Sequence, residues 1–165
     1  MLLAIEESLS ELKQWMPWAQ TMPTEEDLTT VLGQGKEAFE RDHSWEYALF
    51  ERGTDDLLGC AGVHRTDVPG RFSVGYWIRT TRTREGLATA ATRTLIEAVF
   101  ECREEARSIV ITMDEANAAS AAIPQKLGFR IVSYENREIT AQAHTGRGLV
   151  WVLDRQEASM STMRI

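Results

Sequence analysis

Cysteine and histidine are scarce in this 165-residue chain, with two of the first and three of the second. Cys60 and Cys102 lie far apart in apolar surroundings and lack the paired spacing of a zinc site, so both read as reduced core residues. His43, His64 and His144 scatter over a helix end, a strand and a loop. That scatter argues against a metal centre or a His-activated nucleophile, and without such a nucleophile a hydrolase is disfavoured. No metal is expected. No apolar run approaches a membrane span, and the stretch from Met1 to Leu12 carries acids where a secretory leader carries positive charge. A soluble, cytoplasmic chain with no membrane partner is expected. The nucleotide-binding patterns G-x-G-x-x-G and G-K-[ST] are missing as well. A formal net charge of −7 and a pI near 5.0 argue against a nucleic-acid partner.

What is present centres on the stretch Gly75 to Phe100, which reads as a strand, a short cationic loop and a helix. The strand gathers β-branched and aromatic residues from Ser73 to Arg79, and Leu87, Ala91, Leu95, Val99 and Cys102 recur at helical spacing from about Gly86 to Glu105. Arg82 and Arg84 flank Thr83, Gly86 permits close approach to the backbone, and the unpaired amides of a helix start attract anions. A phosphate or pyrophosphate would sit well there; the alternative is a surface turn with solvated arginines.

Upstream, Leu2 to Gln14 forms an amphipathic helix that ends at the bend Trp15-Met16-Pro17-Trp18. Thr24 reads as the cap of a second helix running to about Arg41, with acids in its first turn. Three strand-like runs follow, at Trp45 to Arg52, Leu57 to Thr66 and Arg71 to Arg79, joined by turn-rich connections into an antiparallel meander. Past the central helix, Ser108 to Met113 should lie parallel to Gly75 to Arg79. A short helix ends at Lys126-Leu127-Gly128-Phe129, where Gly128 suits a left-handed cap. A hairpin of Arg130 to Ile139 and Arg147 to Arg155 completes an α/β fold, mixed in the α+β sense, with a mostly antiparallel sheet flanked by helices. One domain over residues 1–155 is expected, followed by a flexible tail over 156–165 that lacks apolar periodicity.

The stretch Thr83-Arg84-Glu85-Gly86-Leu87-Ala88 resembles the acetyl-CoA-binding motif of the GCN5-related N-acetyltransferase (GNAT) superfamily, [Q/R]-x-x-G-x-[G/A] after a strand. Gly86 and Ala88 occupy the small positions, and Thr83 departs from the usual Gln or Arg. The block Asn117-x-x-Ser120 followed by Lys126-Leu127-Gly128-Phe129, the Gly75-Tyr76-Trp77 run and the L-x-x-W-x-x-W of Leu12 to Trp18 resemble the Rim-type branch, the ribosomal-protein N-terminal acetyltransferases. Together these motifs cover most of the chain. The family begins with a strand before its first helix, and that first edge strand has no counterpart here. Its absence would weaken the fold, leave an edge exposed, or leave a partner chain to cover that edge, as in a homodimer.

The resemblance implies an enzyme of the acyltransferase class, EC 2.3.1. It would move an acetyl group from acetyl-CoA to a primary amine by direct attack on the thioester, leaving CoA. An acidic surface suits a cationic amine. A protein N-terminal α-amine is favoured as the acceptor, with a small-molecule amine such as an antibiotic next; an inactive acyl-CoA-binding domain is the alternative. By resemblance, the backbone of Tyr76, Trp77 and Ile78 flanks the pantetheine. The loop of Arg82, Thr83, Arg84, Glu85, Gly86, Leu87, Ala88 and Thr89 holds the pyrophosphate. Asn117 would bond the pantetheine arm or a water, and Ser120 would protonate the departing sulfur; the plain alternative is that Asn117 caps its helix. Candidate bases are Glu46, Asp114 and Glu115, with Glu46 on the first strand facing the acceptor cleft. Direct loss of the proton to water is equally open for an α-amine. Trp15 and Trp18, with Trp45, are candidate walls of the acceptor site, although a Trp-Pro-Trp bend also packs well as a plug.

Overall fold

A computed structural model describes residues 1–162 of the chain. Helix α1 (Leu2–Trp15) and a short 3-10 turn (Pro17–Ala19) lead to α2 (Glu25–Glu40). The start of α2 is fixed by a reciprocal cap: Thr24 Oγ1 accepts from the Asp27 amide, and the Asp27 carboxylate accepts from the Thr24 amide. Two orphan amides are satisfied this way, and acids fill the first turn where the helix dipole favours them.

Strands β1 (Ser44–Phe50), β2 (Leu57–Arg65) and β3 (Arg71–Ile78) form the expected meander. Helix α3 (Leu87–Cys102) crosses to β4 (Ser108–Asp114), and α4 (Ala118–Lys126) leads to the hairpin β5 (Arg130–Asn136) and β6 (Arg147–Asp154). Gly128 ends α4 with φ +83, the left-handed turn that a glycine makes without strain. The six strands lie in the order β1-β2-β3-β4-β6-β5, and only β3 and β4 run parallel.

That parallel pair departs from expectation in a useful way. Pairing is confined to Arg71–Ser73 against Ser108–Val110, whereas the sequence placed it at Gly75 to Arg79. Beyond Ser73 the two strands part company, so the β4-facing backbone of residues 74–78 is left without a strand partner. A wedge-shaped opening splits the sheet.

Strand alternation gives the sheet two unlike faces. One carries Ala61, Val63, Phe72, Val74, Ile109, Ile111, Leu149, Trp151 and Leu153, packed against Leu95, Ile96 and Val99 of α3. Phe72 and Ile109 are fully buried there, each contributing roughly 1.5–3 kcal/mol of transfer free energy. The other face carries Glu46, Cys60, Gly62, His64, Gly75, Trp77 and Thr112 and is covered in part by α1, whose Ile5 and Leu12 pack with Ala19 and Trp77.

Four expectations need correction. Trp45 is buried in the core beneath Arg103, whose guanidinium carbon lies 4.4 Å from the indole centroid. Its strand parity turns it to the packed face, so it walls no acceptor site. Cys102 is exposed as the last residue of α3, and Cys60 is only partly buried, so neither is a core residue. Third, residues 155–162 form a helix, α5 (Arg155–Thr162). Its start needs no apolar periodicity: the Arg155 guanidinium donates to the carbonyls of Phe100, Arg103 and Ala106, and Glu157 accepts from the Asp154 amide. Residues 163–165 of the expected tail lie outside the described residues. Fourth, the pairing of β3 with β4 lies at the strand starts, as above. Among the described residues no strand precedes α1, and β1 forms an outer edge of the sheet.

Candidate active site

The loop after β3 is built to present amides. Thr80 and Arg82 form one 3-10 turn, and Thr83 donates its hydroxyl to the Thr80 carbonyl at 2.9 Å. Arg84 and Gly86 both take the left-handed conformation, with φ +65 and +82. The first helical bond of α3 is Ala90 N–H to the Gly86 carbonyl, so the amides of Leu87, Ala88 and Thr89 are free of intrahelical partners. Among the described residues no side chain caps this helix start. An anion meets unpaired N–H groups and the positive end of a 16-residue helix.

The side chains of the loop are less free than its backbone. Arg82 is clamped by Glu51 at 2.6 Å and by Glu85 at 3.0 Å, and these carboxylates raise its already high pKa further. It therefore braces the loop to the β1–β2 turn. Thr83 and Arg84 are both exposed, the Thr83 hydroxyl being taken up by the Thr80 carbonyl. On the other flank, Arg79 makes a bidentate pair with Glu7, and the Thr80 amide donates to Ser8 Oγ, fastening α1 to the loop.

The opening between β3 and β4 leads into a cleft of about 1640 Å³. Tyr76, Asn117 and Ser120 line it, as do Glu46, His64 and Gly75 from the open face of the sheet. The Tyr76 hydroxyl donates to the Ser120 carbonyl at 3.2 Å and lies 3.2 Å from Ser120 Oγ. Burial pushes the Tyr76 hydroxyl up, with Ser120 opposing, so the phenol keeps its proton at neutral pH. The sequence offered Tyr76 only for its backbone; its hydroxyl joins Ser120 because β3 and α4 meet at the mouth of the opening, a contact that no local pattern encodes. Asn117 acts as the cap of α4, its Oδ1 accepting from the Ser120 amide at 3.0 Å. Among the described residues its side-chain NH₂ makes no hydrogen bond.

The three candidate bases separate. Asp114 is buried; burial pushes its carboxyl up, but the amides of Ala116 and Thr145 and the Thr145 hydroxyl outweigh this and hold it below the usual range. It braces the β5–β6 connection. Glu115 pairs with Arg147 at 3.4 Å. Glu46 alone of the three lies on the open sheet face, with its carboxylate over Gly62: a Cβ at Gly62 would come within 2.2 Å of it. His64, not singled out by any motif, bonds Glu46 Oε1 through Nε2 at 2.9 Å. The adjacency of positions 46 and 64 is set by the β1–β2 register, which pairs Glu46 with Gly62 and Ser44 with His64.

Trp15 and Trp18 line the cleft from above, and the Trp18 ring lies 6.2 Å from that of Trp77. His144 Nε2 lies 3.1 Å from the Trp15 carbonyl, and the amides of Gln142 and Ala143 bond the carbonyls of Lys13 and Gln14. The bend is thus held in place by the β5–β6 connection. Cys60 lies beneath; burial first, then the Glu46 charge, pushes its thiol up to about 11, which leaves it a poor nucleophile. Among the described residues no group of three or more His, Cys, Asp or Glu side chains is placed to hold a metal ion.

Residues 3–130 match the model of the family described as "Acetyltransferase (GNAT) domain". The Bacillus subtilis (strain 168) protein named "Putative ribosomal N-acetyltransferase YdaF" is 35% identical over 74 residues, which is 44% of this chain and 40% of that protein. The chain thus matches less than half the length of this curated relative. Among solved structures, RimL, a ribosomal L7/L12 alpha-N-protein acetyltransferase in complex with coenzyme A, superposes with a TM-score of 0.84 at 16% identity, covering 95% of this chain and 87% of the other. Mycobacterium smegmatis RimJ in complex with CoA-disulfide gives 0.81 at 16% identity, covering 94% and 76%. With a family match spanning most of its length, and with the split sheet and amide-lined loop described above, the chain belongs to the GNAT acetyltransferase domain family.

Proposed function

We propose that this protein is an acetyl-CoA-dependent N-acetyltransferase whose acceptor is the α-amine of a protein or peptide. One observation carries the reading: the parting of β3 from β4 beyond Ser73, which leaves strand backbone and the Tyr76–Ser120 pair facing a deep cleft. The residues fit the cosubstrate. The amides of Leu87 to Thr89 suit a pyrophosphate, Gly86 and Ala88 leave room for it, and the unpartnered backbone of residues 74–78 suits the amides of a pantetheine arm. RimL and RimJ, which share the fold, were solved with CoA or a CoA disulfide.

Bound acetyl-CoA supplies an activated acetyl group, and the protein supplies placement and proton management. Unpaired β3 amides are donors for a carbonyl oxygen that gains charge. The Tyr76 hydroxyl, kept protonated by burial and linked to Ser120, is the proton source for a departing thiolate. Asn117 positions Ser120 by capping its helix. The α-amine acceptor is supported by the breadth of the cleft, which extends under the Trp15–Trp18 bend and admits an extended chain end. It is further supported by the acidic surface and by the name of RimL.

Calorimetric titration with acetyl-CoA, with CoA and adenosine monophosphate as controls, tests the cradle without any choice of acceptor. Binding that requires the pantetheine-containing ligands is expected. Release of CoA on adding a peptide with free N-terminal Ser or Ala, against small amines in parallel, then decides the acceptor. Binding without release under either acceptor would instead favour a non-catalytic acyl-CoA-binding domain.

A further inference from the structure

Within the acetyltransferase reading, on which this rests, we propose that His64 Nδ1 takes the proton from the acceptor's ammonium group, with Glu46 fixing the imidazole from the other side. Four observations on the open sheet face lead there. Glu46 Oε1 lies 2.9 Å from His64 Nε2, so the neutral ring carries its proton on Nε2 and donates it to the carboxylate. Nδ1 is then the basic nitrogen, and among the described residues it makes no hydrogen bond. Both side chains line the cleft that contains Tyr76 and Ser120. Between them and that pair the sheet floor consists of two paired glycines, Gly62 on β2 and Gly75 on β3. A Cβ at Gly62 would collide with the Glu46 carboxylate, and one at Gly75 would meet nothing within 4 Å. The floor is a trough, open along Gly75 toward the unpartnered β3 backbone.

The charged surroundings favour this pair over other proton acceptors. From α2, Lys36 and Glu40 line the same cleft and pair with each other at 3.9 Å. From α2 as well, Asp27 is taken up by the Thr24 cap. From β4 and the connections beside it, Asp114 is bound by Thr145, Arg137 donates to Thr112 Oγ1, Glu138 lies beside Arg137, and His144 contacts the Trp15 carbonyl. The hydrogen bond that His64 donates to Glu46, and then the carboxylate's charge, raise His64 above the ordinary imidazole value against the opposing effect of burial. A more basic imidazole draws a proton from an ammonium more readily.

The step balances. The ammonium gives one proton to His64 Nδ1; as the N–C bond forms and the C–S bond breaks, the second surplus proton ends on the CoA sulfur by way of Tyr76 and Ser120. His64 then returns its proton to water. No oxidant or further reactant is needed.

The test is a pH profile of kcat/KM with acetyl-CoA and a serine-initiated peptide, for the intact protein and for His64→Gln. In the unaltered protein the acidic limb should fall at the pH where His64 itself titrates, read independently from its imidazole NMR signals. In His64→Gln only the neutral amine can react, so the limb moves up to the amine's own ionisation near 8. His64 itself is at least half protonated at pH 6.5 in the unaltered protein, so the loss there is at most about 15-fold, and it disappears by about pH 9. Recovery at high pH separates a proton-transfer role from structural damage. Glu46→Gln and Gly62→Ala should both move the His64 signal down toward its ordinary value and carry the limb with it. Gly62→Ala does so by displacing the carboxylate without removing either titrating group. Turnover with an acidic limb that His64→Gln leaves in place would overturn the proposal alone; no turnover in the unaltered protein with peptides or small amines would overturn the acetyltransferase reading, and the proposal with it.

Discussion

The two faces of the one sheet have opposite designs. The face under α3 is filled by Phe72, Val74, Ile109, Ile111, Leu149 and Trp151, and its polar border is pinned by Asp42 bonding both Arg65 and Arg103 above Trp45. The face under α1 has glycine at 62 and 75 where the other has large side chains, and it carries Glu46 and His64 in the open. α2, which packs on the same edge of the sheet, has no buried residue at all. Stability resides in one face, and open space in the other. The strands are shared, so alternate residues of β2 and β3 serve different ends, and substitutions one position apart should have unlike consequences.

The largest contrast expected is between Phe72 and Gly75. Phe72→Ala removes a fully buried ring and should cost about 3–5 kcal/mol of unfolding free energy. Gly75→Leu meets open space and should change stability by less than about 1 kcal/mol, while blocking the trough and raising the KM for a peptide acceptor. Urea unfolding of both variants, with acceptor kinetics for the second, checks the contrast. Comparable destabilisation by Gly75→Leu would mean that the second face is packed as well.

At the seam between the faces lies the Tyr76–Ser120 pair. Tyr76→Phe and Ser120→Ala should each lower kcat by roughly 10²-fold with little change in acetyl-CoA affinity. As members of one hydrogen-bonded unit 3.2 Å apart, they should be non-additive, the double variant costing little more than either alone. Additive losses in the double-mutant cycle would assign them separate roles.

Much of this was legible in the sequence where the signal was local. The β3-loop-α3 stretch could be read from periodicity and the glycine at 86 because a helix start and its anion affinity are properties of adjacent residues. The caps at Thr24 and Gly128 were read for the same reason. The open face was less legible. Glu46 and His64 are 18 residues apart and meet only through strand register, and Tyr76 reaches Ser120 only because two elements converge. Trp45 shows the converse error: an aromatic beside a candidate base looks like a cleft wall until strand parity turns it to the core. The α5 helix was missed because its start is held by long-range hydrogen bonds from Arg155 to one carbonyl in the last turn of α3 and two on the α3–β4 connection, which leave no trace in local periodicity.

The cradle offers a smaller effect, because its donors are backbone. Gly86→Glu should weaken acetyl-CoA about tenfold or more, through negative charge at the helix start. Gly86→Ala is the control, since φ +82 strains any side chain by about 1–2 kcal/mol without adding charge. Equal affinities for the two variants, measured calorimetrically, would locate the pyrophosphate elsewhere. Arg82→Ala should weaken binding more than Arg84→Ala, since it frees the Glu51 and Glu85 carboxylates beside the loop.

The smallest effect expected distinguishes the two faces by the sign of their pH dependence. Asp42, on the packed side, is held below the usual carboxylate range by hydrogen bonds from Arg65 and then Arg103. A depressed folded-state pKa stabilises above the unfolded value near 3.9 and is lost as pH falls through the folded one. His64, on the open side, is raised by its hydrogen bond to Glu46. A raised pKa stabilises fully below the unfolded value near 6.5 and is lost as pH climbs through the folded one. The unfolding free energy of the unaltered protein, less that of His64→Gln, should therefore be larger at pH 5.5 than at pH 8.5. The side chains of His64 and Glu46 are 42% and 47% exposed, so solvent screening keeps the change below about 1 kcal/mol. For Asp42→Asn the corresponding difference should hold steady between those two pH values and shrink only in acid. A His64 difference that grew with pH would show the imidazole to be held neutral in the fold, removing the partnership with Glu46 on which its basicity depends.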